Sequence, residues 1–468
     1  MVGTWGEGNR ILFSGGSSQG VGVIQQVVDG QTSELALAVS SVPDATSLAW
    51  PYFLQDGRRF LFYAMHADTT RSEIRVGTVG STETTVLLRA NSRAVYAEPG
   101  YLVYVRESTL VAHPFDAETL SPTGDPVPIA ENVLYLRDLG QADFSASRTG
   151  ILTYQAGPTA SRLVWIDRKG TQLEQIGKPD DYYFLDLSPD GSKIAVDIFD
   201  RTAGTTDVWT IDLARSAEPV RLTFDSTIDW SPTFSPDGTR VAFASARRGA
   251  PHLHAKALTD SGSGEMLVAP TGPVQFAFDW ADTALGPVIV YQDAAPGTGA
   301  DLWIRPLTGD VTPRPLVQTA TSEGDGRVSP DGRWLAYVSL ESGRNEVYVR
   351  ALEGSGERWH VSAERRQVST SGGISPRWTR QGRELVYLAT SSTVPFGSTV
   401  MDGRLMSVEI TVSPSFRPGV PQPLFPVIAS NSQYAVSTEG DRFLVNLGAG
   451  SAALPITVAV DWMNGLAR

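Results

Sequence analysis

Short apolar runs of six or seven residues recur along the chain, separated by polar stretches that carry glycine or proline. Arg58 opens RRFLFYA, Lys193 KIAVDIF, Arg240 RVAFASA, Arg333 RWLAYVS, Arg383 RELVYLA and Arg442 RFLVNL. Each run is rich in β-branched and aromatic residues and is too short for a helix, so each predicts a strand. A second apolar set follows in most units: EIRVGTV from Glu73, DVWTIDL from Asp207, HLHAKAL from His252, DLWIRPL from Asp301, EVYVRAL from Glu346 and RLMSVEI from Arg404. Weaker runs come next, as in VRLTF from Val220 and RWHVSA from Arg358. No helix-length segment alternates with these strands, which excludes a βαβ organisation.

The strands are punctuated by a repeated turn. Ser-Pro-Asp-Gly stands at Ser188 to Gly191, Ser235 to Gly238 and Ser329 to Gly332, and degenerate forms end at Gly57, Gly100, Gly150, Gly286, Gly382 and Gly440. From Gly57 onward these glycines step by 43, 50, 41, 47, 48, 46, 50 and 58 residues, the period of four-stranded propeller blades. Proline presets the turn, aspartate bonds its own backbone and glycine takes the positive φ that closes a hairpin. With GEGN near the start there are about ten units, and the expected fold is an all-β propeller of four-stranded antiparallel blades. Units five to ten keep the motif best. The expected division is therefore residues 1–178, four degenerate units forming a partial propeller or part of one large ring, and residues 179–468, six units.

Composition narrows the partners. The 468 residues carry 38 Lys plus Arg against 51 Asp plus Glu, a formal charge of −13, so no basic footprint for nucleic acid exists. The sequence contains no Cys, hence no disulfide, thiol nucleophile or Cys-ligated zinc. No apolar stretch is long enough to span a membrane, and MVGTWGEGNR does not read as an export signal.

The units resemble the WD40-like, TolB-type propeller repeat, in which W-S-P-D-G is followed by an I-A-F strand and an I-Y-V strand. The resemblance covers nearly the whole chain. DVWTIDLARSAEPVRLTFD, SPDGRWLAYVSLESGRNEVYVRALEGSGERWHVS, PRWTRQGRELVYL and PITVAVDW are most similar to the propeller region of bacterial receptor-type serine/threonine kinases. No glycine-rich loop with V-A-I-K, no H-R-D-L and no D-F-G accompanies them, so the kinase half is absent. GTWGEGNRILFSG resembles an interior blade of that group and Met1 stands just before it, which implies an upstream portion and, for a receptor kinase, an extracytoplasmic location. The resemblance implies a non-catalytic binding or sensor module. The alternatives are the substrate-selecting propeller of a prolyl-oligopeptidase-like peptidase without its hydrolase domain, and a stand-alone TolB-like periplasmic scaffold.

Candidate chemistry is sparse. Gly16-Ser17-Ser18-Gln19-Gly20 fits G-x-S-x-G but lies between two strands and reads as a hairpin loop. His252 and His254 share a strand face but have no third ligand at metal spacing, so no metal or other cofactor is expected. The ligand-binding candidates are Tyr182, Tyr183, Asp229, Trp230, Gln275, Asp279, Glu323 and Asp325, which approach the inner strands in neighbouring units and are expected to outline one acidic, aromatic-bearing mouth on the loop face. A protein, peptide or small molecule would bind there. The competing reading packs Trp230 and Trp280 between blades and uses Asp229 and Asp279 as turn caps.

Overall fold

A computed structural model describes residues 3–16, 22–66, 71–106, 108–133, 135–136, 140–147, 150–156, 160–200, 205–215, 218–247, 251–268, 275–284, 286–295, 299–355, 358–390, 400–412, 416–448 and 456–465. Among them there are strands, turns and short 3₁₀ segments but no α-helix. The sheets are antiparallel and most have four strands, as the repeat predicts.

The Ser-Pro-Asp-Gly turn explains why each unit folds locally. At Ser235 the hydroxyl donates to Asp237 Oδ1 at 2.6 Å and accepts from the Arg240 amide at 2.9 Å. The Gly238 amide donates to the Ser235 carbonyl at 2.8 Å, with Gly238 at φ +67°. The same bonds recur at Ser188 and Ser329. Of the nine turn glycines from Gly57 to Gly440, only Gly100 lacks a positive φ. The bonds to Ser188 and Ser192 hold the Asp190 carboxyl down at about 2, so this turn keeps its charged acceptor at any ordinary pH.

The chain forms two compact units, residues Met1–Thr159 with Ala452–Arg468, and Ala160–Ser451. In the second unit the inner strands of successive blades are Tyr182–Leu187, Asp229–Phe234, Phe276–Thr283, Glu323–Val328, Ile374–Thr379 and the last residues of Gln422–Val436. Each packs against the next, and Gln422–Val436 packs back against Tyr182–Leu187, so six blades close a ring. We number them 1 to 6 in that order. Blade 6 is completed from afar: its inner strand pairs with Arg442–Leu447, which pairs with Ser161–Asp167, which pairs with Gln172–Asp180.

The sequence-based boundary at 178/179 therefore needs correction. Residues 161–180 do not finish the fourth unit; they are the two outer strands of the last blade. In return Ile456–Val460 pairs with Ile151–Gln155 in the first unit. A strand is assigned to a blade by its hydrogen-bonded neighbour, and the repeat spacing carries no information about that neighbour when it lies at the other end of the ring.

Packing follows from blades lying face to face. A middle strand is apolar on both faces, so Ile194, Ala195 and Val196 in succession have no exposed surface. Apolar clusters fill every interface of the six-blade ring: Val208 with Phe234 and Val241 between blades 1 and 2, Ala242 with Ile289 between 2 and 3, Val290 with Leu335 between 3 and 4, Val338 with Val386 and Leu388 with Val445 across 4 to 6, and Leu163 with Ile194 between 6 and 1.

Replacing Ser235 with alanine removes an acceptor for the part-buried Arg240 amide and a donor to Asp237. The expected cost is about 1–2 kcal/mol, seen as a lower urea midpoint with an unchanged slope.

Candidate functional site

The inner strands of the six-blade ring are built alike. Each carries a β-bulge where its pairing with the next strand slips, between Trp230 and Thr233, Ala277 and Asp279, Gly324 and Arg327, and Ile374 and Arg377. Ser231, Asp325 and Ser375 sit at these bulges with φ near +54°. Such backbone is costly for residues with a Cβ and is held by its surroundings, and it re-aims the adjacent side chains.

The re-aimed groups tie each inner strand to the next. Asp186 Oδ2 accepts from the Phe234 amide at 2.8 Å, Asp279 Oδ2 from the Val328 amide at 2.7 Å and Asp325 Oδ2 from the Ser375 amide at 3.0 Å. The Ser231 hydroxyl donates to the Ala277 carbonyl, the Tyr434 hydroxyl to the Ser375 carbonyl at 2.7 Å, and Asn446 Nδ2 to the Tyr182 carbonyl at 3.0 Å. One polar bond or more thus crosses every blade boundary, including the closure between blades 6 and 1.

The eight candidate positions divide on this scaffold. Asp229, Gln275 and Glu323 lie at the starts of their blades with no exposed surface. Asp229 receives both oxygens' worth of bonding from Arg247 at 3.0 and 3.1 Å, Gln275 Nε2 donates to Asp293 at 2.9 Å, and Glu323 accepts from Thr319 Oγ1 at 2.6 Å and Ser339 Oγ at 3.2 Å. Burial raises the Asp229 and Glu323 carboxyls, against the lowering effect of these bonds. These three side chains brace the first two strands of a blade rather than forming an open rim. Tyr182 is also buried, its hydroxyl donating to the Lys178 carbonyl at 2.8 Å, and burial pushes that hydroxyl up to about 12. Tyr183 is half-buried, and Trp230 packs across to Phe276 of blade 3 at 5.9 Å between ring centres.

Asp279 and Asp325 belong to a different group. They are part-exposed on the inner strands, alongside Asp186, Arg327 and Arg377. Arg377 Nη1 lies 3.6 Å from Asp325 Oδ1, and its guanidinium covers the Tyr434 ring at 5.6 Å. Burial pushes the Asp279 carboxyl up to about 6, with Arg327 opposing the shift. Burial and the neighbouring Arg377 lower Arg327. Arg327 Nε is closed off from solvent without a hydrogen-bond partner, and among the described residues no carboxylate lies within ion-pair distance of that guanidinium. The ring interior therefore holds three aspartates, each with one oxygen committed to a neighbouring strand, and two arginines, one of them with an Nε that has no acceptor.

Asp186, Arg327, Arg377 and Tyr434 are absent from the sequence-derived set. A signal for three of them exists: Asp186, Arg327 and Arg377 each stand two residues before the turn residues Ser188, Ser329 and Thr379, where strand alternation keeps one face. A charge repeated at that position marks the ring interior.

The remaining candidates take other places. His252 and His254 are buried in blade 2, with His254 stacked on Phe243 at 6.0 Å, and among the described residues no three His, Asp or Glu side chains gather as a metal site. Ser17, Ser18, Gln19 and Gly20 lie outside the described residues; the strands flanking them are paired antiparallel, Gly16 opposite Gly22.

No family model matches the chain. Among solved structures it is similar to a putative TolB from Agrobacterium tumefaciens, at 17% identity over 62% of this chain and 98% of that one, with a TM-score of 0.50. It also matches TolB from Acinetobacter baumannii, at 16% identity over 73% and 82% of the two chains with a TM-score of 0.42. A periplasmic gluconolactonase from Pseudomonas aeruginosa matches at 14% identity over 77% and 98% with a TM-score of 0.38. At these identities the likeness to the Agrobacterium protein establishes the TolB-like propeller fold alone.

The raised Asp279 carboxyl sets a pH dependence. Its folded form favours the neutral acid, so the stability it contributes is present below about pH 4 and lost as pH rises through about 6. Asp279→Asn keeps an acceptor for the Val328 amide and cannot ionise. Urea midpoints should show the variant gaining about 1–3 kcal/mol on the native protein between acid and neutral pH.

Proposed function

We propose that the chain is a non-catalytic binding module in which the loop face and inner ring of the six-blade unit hold a protein, peptide or small molecule through an anionic group. The observation that carries this reading is Arg327. Its Nε is closed off from solvent without a hydrogen-bond partner, and a donor buried that way is costly unless a further group accepts from it. Its planar fork suits a carboxylate. The aspartates around it are already bonded to backbone amides, so they orient the ring more than they compete for the cation.

In the finer reading the module is the sensor or interaction part of a bacterial serine/threonine kinase signalling protein. What supports it is the likeness of the strands around Asp207, Ser329 and Pro376 to that group. A ligand seated across several blades would act by differential affinity for two arrangements of the receptor, since nothing else shifts such an equilibrium. The TolB-like fold supports a second reading, a free-standing scaffold that binds through the same face.

Thermal melts with a panel of mono- and dicarboxylates and tripeptides with free or amidated C-termini test the binding reading. A free carboxylate should raise the melting temperature of the native protein and leave that of Arg327→Gln unchanged. No stabilisation by any carboxylate, or equal stabilisation of Arg327→Gln, would sink it. The kinase assignment is tested by the polypeptide recovered from its native source: a kinase domain joined to it or co-purifying with it supports signalling, and its absence favours the scaffold.

A further inference from the structure

The three aspartates of the ring interior are not held alike. Asp186 Oδ2 accepts from the Thr233 hydroxyl at 3.2 Å besides the Phe234 amide, and Asp325 Oδ1 has Arg377 Nη1 at 3.6 Å. Asp279 has neither kind of support. Its Oδ2 takes the Val328 amide at 2.7 Å; among the described residues its Oδ1 accepts no hydrogen bond, and no cation lies within ion-pair distance of the carboxyl. The residue before Val328 is Arg327, so the same amide fixes the Asp279 carboxyl beside the strand position of the arginine whose Nε has no acceptor.

The charged groups around Asp279 and Arg327 come from every side of the ring: Asp186 from blade 1, Asp325 from blade 4 and Arg377 from blade 5. Blade 2 contributes the uncharged Thr233, and blade 6 the Tyr434 hydroxyl, which donates to the Ser375 carbonyl. Counted as ionised, the three aspartates and two arginines leave the interior one charge negative. A bound anion adds a second, and adds it at the arginine that otherwise favours the charged form of Asp279. A proton offsets that charge at least cost on the carboxyl whose ionised form has the fewest bonds. Asp279 is that carboxyl, and burial already favours its neutral acid.

Resting on the binding reading above, we propose that the ring takes up a proton from solvent with each anionic group it binds, and that Asp279 Oδ1 carries it, so that the acid O–H and the Arg327 Nε–H donate to the anion together. Asp279 is then a binding residue as well as a tie between inner strands. Its Oδ2 keeps the Val328 amide while its Oδ1 turns from acceptor to donor, and an O–H donating to an anion makes a short, strong bond. In the empty ring the carboxyl titrates at about 6, and an anion beside it moves that point upward. Affinity therefore rises as pH falls towards 6, by up to about tenfold per unit, and levels off below it.

Calorimetric titration of the full chain with acetate and with N-acetyl-trialanine tests this, between about pH 6 and pH 8 and in two amine buffers of different ionisation heat. The native protein should bind both probes more tightly at the lower pH and, at about pH 7, take up close to one proton per anion. Asp279→Asn keeps an acceptor for the Val328 amide and presents an N–H where the acid presents its O–H. Its affinity should not change with pH, its binding should take up no proton, and at about pH 8 it should bind more tightly than the native protein. Native affinity independent of pH, or proton uptake that persists in Asp279→Asn, would overturn the proton linkage; with binding still lost in Arg327→Gln, the binding reading would stand. No binding of either probe, or equal binding by Arg327→Gln, would remove that reading and the proton linkage with it. If Asp279→Asn does not fold, the native proton count decides alone.

Discussion

A propeller blade is a sheet with two apolar faces, and neither face can be left to water. That constraint shapes the rest of the molecule. It explains why the middle strands are apolar runs rather than alternating ones, with Val241, Ala242, Phe243 and Ala244 all without exposed surface. It explains why blades come in series, since one blade's face is covered only by the next. It also explains why six successive blades close on one another in the second unit.

Closure draws on polar contacts as well as apolar ones. Bulged inner strands send Asp186, Asp279 and Asp325 to amides of the following strand, and these bonds fix how far one blade is turned from the next. The strands that seal blade 6 are pinned from outside too. Arg168, in the turn between them, donates to Glu384 of blade 5 at 2.7 and 3.2 Å and to the Gly440 carbonyl at 2.6 Å. Glu384 is almost fully buried, so removing Arg168 would leave a carboxylate without its main counterion. These contacts hold the backbone that carries the charged groups of the ring interior, the preorganisation on which the proposed binding would draw.

The sequence made much of this legible, and for a local reason. The turn at Ser188, Ser235 and Ser329 closes through bonds among neighbouring residues, so its spelling suffices to place it and the strands on either side. The apolar runs after each turn mark the middle strands for the same reason. The long-range pairings left no such mark. SRLVWID from Ser161 is as apolar as any other strand, and its partner, Arg442–Leu447, lies at the far end of the chain. The site reading mixed two kinds of residue. Asp229, Gln275 and Glu323 look like mouth residues because they stand at the starts of inner strands, yet Arg247, Asp293 and Ser339, at or just past the end of the adjacent strand, consume them. Asp279 and Asp325 look the same in sequence and face the ring interior, because a bulge, just before Asp279 and at Asp325 itself, shifts the pleat.

The central claim is that the six-blade unit is one ring whose last blade is completed by strands from its first residues. Native-state hydrogen exchange tests it most directly. The amides of Ser161–Asp167 should exchange with the same opening free energy as those of Arg442–Leu447, since the two segments can open only together. Exchange of 161–167 at the rate of surface turns, while Arg442–Leu447 stays protected, would contradict the closure and with it the account of how this propeller holds its shape.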